Sequence, residues 1–260
     1  MEQARNDIKI SGSGSIGGGV YNEVKISGSG TANGNIDCVN LKSSGSSKIN
    51  GDVVSGGIKI SGASKINGNV KAEEIKISGS AEIDNNLEAD KVDISGSTRL
   101  GGDVTAKFFK VSGGTEIIDS LNGEEIKVSG SIKIGKDCEV ERFNTSGSFT
   151  IDGLLNAGEI EVYLFGKCRA KEIGGENINV RLSHFRDSII AKVINSVILT
   201  RRQLLTEVIE GDNIFLEATT AKVVRGNNVT IGKDSYIEKV EYTGEINIID
   251  GGKVVEQIKM

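Results

Sequence analysis

The chain of 260 residues contains no proline and no tryptophan, and only 4% of it is aromatic. Proline cannot donate to a hydrogen-bond ladder, so its complete absence fits a backbone in which nearly every N–H is needed by a neighbouring strand. Scarce aromatics mean that any core is built from small and β-branched aliphatic residues, which also favours strands. The three cysteines, Cys38, Cys138 and Cys168, are odd in number and irregular in spacing, a pattern that suits neither a disulfide framework nor a zinc site. The single histidine, His184, stands beside Phe185 and reads as a packed or surface residue rather than a general base. No stretch approaches the ~20 apolar residues of a membrane span, and "MEQARNDIKI" lacks the apolar core of a signal peptide. A cytoplasmic location is expected, with membrane contact at most peripheral, at the inner face of the membrane. The formal charge of -5 comes with no long block of one sign, which argues against nucleic acid as a partner.

Glycine, by contrast, occurs 35 times. The opening phrase "IKISGSGSIGGG", residues 8–19, places Gly12, Gly14 and Gly17 at the G-x-G-x-x-G spacing of a dinucleotide loop. Such a loop must open a helix whose N-terminus receives the pyrophosphate. The next residues, "GGGVYNEVKISGSG", have glycine runs and β-branched residues and no apolar spacing of helical type, so the motif is a by-product of turns. Neither cofactor nor metal is expected.

The same phrase returns. Ser-Gly recurs at Ser11, Ser27, Ser44, Ser61, Ser78, Ser95, Ser112, Ser129 and Ser146, first after 16 residues and then after 17 each time. A period of this kind is interpreted before any local motif. Counting from each serine, aliphatic residues fall at minus three and minus one, as in Ile58 and Ile60. A small residue falls at plus three and an aliphatic at plus five, as in Ser64 and Ile66. Another aliphatic falls at plus nine, as in Val20, Val53 and Val70, with a small residue at plus eleven, as in Ala72. Separation by two within each pair puts both side chains on one face of a strand. The fold class is therefore all-β, a single-stranded three-sided parallel β-helix with rungs of about 17 residues that becomes looser after residue 165.

Cys38, Cys138 and Cys168 fall in inward columns and read as small core residues. Asn50-Gly51, Asn67-Gly68 and Asp152-Gly153 end the second strand, where a positive φ is expected. Between the inward pair of the first strand stands an outward lysine, at Lys9, Lys25, Lys42, Lys59, Lys76, Lys110 and Lys127. With Glu23, Glu74 and Glu125 just ahead, this column reads as a solvated face that discourages lateral sheet pairing.

The chain thus divides into a regular repeat over 1–166, an irregular continuation over 167–205, and C-terminal rungs of the same solenoid over 206–260, for ~15 rungs and a length of roughly 70 Å at the strand spacing. A solenoid exposes unpaired backbone and an apolar cross-section at its two ends. At the C-terminal end these are Ile246, Ile248, Val254, Val255 and Ile258; at the N-terminal end, Ile8, Ile10 and Ile16. The physical expectation is stacking with another copy, as a homopolymer or homodimer. In the middle segment "LSHFRDSIIAKVINSVILTRRQLL" breaks the period, and Arg181, Phe185, Arg186, Arg201 and Arg202 form a basic, partly aromatic surface. A non-polymerising adaptor that recruits a partner or membrane surface there is the alternative to self-assembly. Short turns leave no material for a catalytic cleft, and repeated serines with no histidine nearby make no nucleophile, so no enzyme is expected.

Repeats such as "KISGASKINGNV" (59–70), and above all the phrase "EVIEGDNIFLEATTAKVVRGNNVTIGKDSYIEKVEY" (207–242), resemble the bactofilin or polymer-forming cytoskeletal family of bacteria, in its longer version from low-GC Gram-positive organisms. The resemblance implies a right-handed coil and filaments that form through the ends without nucleotide. It also implies a scaffold for cell shape, division or motility, with cell-envelope or division and motility proteins as partners. The family's apolar membrane-touching segment has no counterpart in "MEQARND".

Overall fold

The computed structural model describes residues 5–183 and 202–260, which form 21 β-strands and, among these residues, no helix. Paired strands run parallel, and the described residues wind through about 14 turns of a β-solenoid. They divide into two compact units, one of residues 1–126 with 131–136 and one of 127–130 with 137–260.

In the first unit the alternation seen in the sequence becomes alternation of burial. Ile58, Ile60, Ser64, Ile66, Val70 and Ala72 point into the core while Lys59, Ala63 and Lys71 face water. Each rung lies on the next with a 17-residue step, Ile58 on Ile75, Ile66 on Ile83 and Val70 on Leu87. Like therefore stacks on like, and an almost wholly aliphatic core follows from the period alone. The ladder does not stop at the corners: Ser61 N donates to Ser43 O at 2.8 Å, Ala63 N to Gly45 O at 2.9 Å and Asn67 N to Ile49 O at 2.9 Å. A proline at any of these corners would delete a rung-to-rung bond, which accounts for the composition.

The structure corrects two expectations. Val20 is not inward: it is 45% exposed, and Gly19 stacks under Ile36 in its place. The first repeat is one residue short, and the register shifts between Gly17 and Gly19 to absorb the deletion. Nor do Asn50-Gly51, Asn67-Gly68 and Asp152-Gly153 carry a positive φ, which occurs among the described residues only at Ala218, Asp234, Asp250, Gly251 and Gly34, the last being the glycine of the Asn33-Gly34 corner one rung before Asn50-Gly51. Gly51 and Gly68 are required for a different reason: a Cβ on either would drive into the backbone of the preceding rung at Gly34 and Gly51 respectively. The Ser-Gly corners obey the same rule, since a Cβ at Gly62 or Gly79 would overlap the carbonyl oxygen of Gly45 or Gly62.

The plus-three column of this unit grows along the coil, from Gly14 and Gly30 through Ser47, Ser64 and Ala81 to Thr98, Thr115 and Ile132. At its serines the column is also hydrogen-bonded: Ser43 Oγ donates to Ser47 Oγ at 2.9 Å, and Ser47 and Ser64 share a bond of 2.6 Å.

The second unit keeps the columns but not the period. Ile160, Ile178, Ile214, Val229 and Ile246 stack in order, although the steps between them are 18, 36, 15 and 17 residues. The step of 36 arises because strand Lys167–Leu182 pairs directly with Gln203–Leu216, residues 184–201 lying between them in sequence. Phe143 and Phe149 fill this core with an edge-to-face contact, ring centroids 5.3 Å apart.

Candidate functional site

The described residues contain no group of three or more His, Cys, Asp or Glu side chains placed to hold a metal ion. The features with functional potential are the ends of the coil and its outward columns.

At the N-terminal end of the first unit Ile8 lies on Val24, Ile10 on Ile26 and Ile16 on Ala32, all in inward columns. Ile10 is buried, while Ile8 and Ile16 are only half covered. Gly12 heads the corner-glycine column, and a Cβ there would meet nothing within 4 Å, although the same atom on Gly28 would strike Gly12 O.

In the second unit Ile246 continues the column of Ile214 and Val229, and Ile248 that of Leu216 and Ile231. Ile231 is fully buried, whereas Ile248 is 42% exposed. Val254 lies on Ile237 and Gln257 on Val240, so these also hold inward positions. Val255 and Ile258 belong elsewhere: Val255 is an outward residue, 68% exposed, and Ile258 lies on Glu241 in an outward column. That column is strongly paired. Lys239 Nζ stands 2.7 Å from Glu241 and Arg225 Nε also bonds it, and these two contacts hold the Glu241 carboxyl below its ordinary range.

Of the basic surface, Phe185, Arg186 and Arg201 lie outside the described residues, as does His184. Arg181 is engaged: its guanidinium covers the Phe215 ring at 4.5 Å and its Nε donates to Asn179 Oδ1 at 2.8 Å. Arg202 donates to Ser183 O at 3.1 Å. The cysteines are all buried thiols. Burial pushes Cys138 well above its usual range, raises Cys168 to about 11, and raises Cys38 against the opposing effect of its hydrogen bond with Ser55.

A groove of about 1330 Å³ runs along the first unit. Cys38, Ser55, Ala72 and Ala89 line it, and along its rim the Lys71–Glu88 and Lys107–Asp90 ion pairs tie adjacent rungs while Arg5–Asp37 spans two rung steps. Those six charges are thus satisfied by one another.

Sequence reasoning missed the side-chain ladders. Asn50 Nδ2 donates to Asn33 Oδ1 and Asn67 Nδ2 to Asn50 Oδ1, both at 2.9 Å. In a neighbouring column, Asn35, Asp52, Asn69, Asn86 and Asp103 each accept the backbone N–H one rung later, at 2.7–3.3 Å. The signal was visible as Asx residues repeating at the period, but it reads equally as turn chemistry until the rungs are stacked.

The fold defines a parallel β-solenoid whose side chains mainly link one rung to the next. Residues 46–122, inside the first unit, match the family model described as Bactofilin, polymer-forming cytoskeletal, and the chain carries a bactofilin-family domain there. Among curated proteins of Bacillus subtilis (strain 168), it is 36% identical over 95 residues to one titled "Uncharacterized protein YhbE", covering 36% of this chain and 38% of that one. It is 33% identical over 90 residues to "Uncharacterized protein YhbF", covering 35% of this chain and 34% of the relative. The matched regions thus span little more than a third of either relative's length. No solved structure matches the chain, and no helix among the described residues is long and apolar enough to cross a membrane.

Proposed function

We propose that this chain polymerises end to end, without nucleotide, into filaments that scaffold cell shape, division or motility. One observation carries the reading: Ile246 and Ile248, and at the other end Ile8 and Ile16, sit in columns that are buried on interior rungs yet are left partly open. Covering them with another rung would bury aliphatic surface and extend the backbone ladder, the two terms that already hold the coil together. The family description, polymer-forming and cytoskeletal, agrees.

Negative-stain electron microscopy across a concentration series, with no nucleotide added, tests it. The wild-type chain should form filaments above a threshold concentration, and Ile246→Lys with Ile248→Lys should abolish them while leaving the circular dichroism spectrum unchanged. Gly12→Leu probes the other end, since its side chain enters open space in the single chain but the path of an incoming rung. Discrete particles at every concentration would overturn the proposal.

A further inference from the structure

Charges in the outward columns of the first unit mostly meet their opposites one rung away. Lys65 faces Glu82 at 3.0 Å, Lys71 faces Glu88 at 2.7 Å, and Glu116 receives both Arg99 and Lys133 at 2.9 and 3.2 Å. Opposite charges across a ladder add modest stability and like charges subtract from it. One column breaks this pattern over several rungs, where the column of Lys48 and Lys65 does so for a single step. Lys9, Lys25, Lys42, Lys59 and Lys76 succeed one another in register on consecutive rungs, four like-on-like steps before Asp93 interrupts them. All five are exposed and stand about 5 Å apart at the strand spacing. Lys42 is paired with Glu23 and Lys76 with Glu74, but Lys9, Lys25 and Lys59 have no carboxylate partner among the described residues.

The surroundings narrow what the column fits. Beside each lysine on the C-terminal side runs the serine corner, giving exposed hydroxyls at Ser11 and Ser13, Ser27 and Ser29, Ser44 and Ser46, and Ser78 and Ser80. On the other side stand Glu23 and Glu74. A planar anionic surface would meet the acidic and basic rows together and gain little, whereas a single-file anion can lie on the lysine–serine strip alone. The strip holds no aromatic side chain, so nucleic-acid bases would find no stacking platform. We propose that this strip is a docking surface for a linear phosphate polymer without bases, of the inorganic polyphosphate type. Each rung offers one ammonium and its neighbouring hydroxyls to the phosphate chain as it passes, one rung step spanning more than one phosphate, and binding relieves the repulsion along the column. The strip runs along the side of the coil, so the proposal does not depend on end-to-end assembly.

The test titrates the full chain with end-labelled long-chain polyphosphate by fluorescence anisotropy. Five neutralised phosphates predict a fall in affinity of about 100-fold between about 50 and about 200 mM salt. Lys25→Glu with Lys59→Glu converts the column to alternating signs, so it should weaken binding about tenfold or more while holding or raising the melting temperature. The milder Lys25→Gln with Lys59→Gln should give a smaller loss. Lys91→Glu with Lys107→Glu makes the same change in net charge outside the column and should leave affinity nearly unchanged, as should Ile246→Lys with Ile248→Lys. An equal loss in the Lys91, Lys107 variant would overturn the proposal, because it would reduce the effect to overall charge. So would absence of binding at low salt, or tighter binding to phosphatidylserine-containing vesicles or an oligo-dT strand than to polyphosphate.

Discussion

Two glycines that look identical in the repeat have opposite sensitivities. A Cβ at Gly62 would overlap Gly45 O, while at Gly12 it would meet nothing within 4 Å. Urea denaturation should show Gly62→Ala losing more than ~2 kcal/mol and Gly12→Ala changing by less than ~0.5 kcal/mol. The hydroxyls of Thr98 and Thr115 are buried without a hydrogen-bond partner. Valine keeps their shape and removes the desolvation cost, so Thr98→Val and Thr115→Val should each stabilise by about 1 kcal/mol and raise the melting temperature. Burial raises the Cys168 thiol from 9.0 to about 11, which favours the neutral form in the folded chain. Its contribution to stability is therefore complete below pH 9.0, the unfolded value, and is lost as pH rises through about 11. The folded protein should resist thiol reagents at about pH 8 and react fully once unfolded.

At the scale of the strand and its corner, side-chain ladders do what turns alone do not. Asn50 is both acceptor from Asn67 and donor to Asn33. Asn50→Ala removes both bonds and should cost about 1–2 kcal/mol, read as a lowered denaturation midpoint with an unchanged slope. The expected positive φ at Asn50-Gly51 and Asn67-Gly68 failed for a physical reason: the chain turns there in ordinary backbone regions, and of the Asn-Gly corners in this column only Asn33-Gly34 has a positive φ. Close approach of the next rung, not left-handed geometry, is what excludes a side chain at Gly51 and Gly68. Local turn chemistry and rung-to-rung contact both favour glycine, and a single rung viewed alone cannot separate them.

For the whole chain, end contacts and side surface are independent variables. Lys25→Glu with Lys59→Glu alters a face parallel to the coil axis, so filaments should still form at the wild-type threshold, while Ile246→Lys with Ile248→Lys should remove filaments and leave the lysine column untouched. Electron microscopy of the two variants side by side separates these effects.

The period determined the columns, and the columns determined which residues are buried. Ile58, Ile66, Val70 and the three cysteines were all assignable before any coordinate was known, because a repeat that stacks in register has only one way to hide its aliphatics. Tertiary structure decided what depends on pairing between rungs. It placed Gly19 rather than Val20 in the inward column under Ile36, since a one-residue deletion is absorbed by a register shift that no local rule locates. It brought Val180 beside Leu216 across an interval that sequence alone read as an irregular continuation. For the lysine column, already legible in the period, it decided how far like lies on like: five lysines in register on consecutive rungs until Asp93 interrupts them.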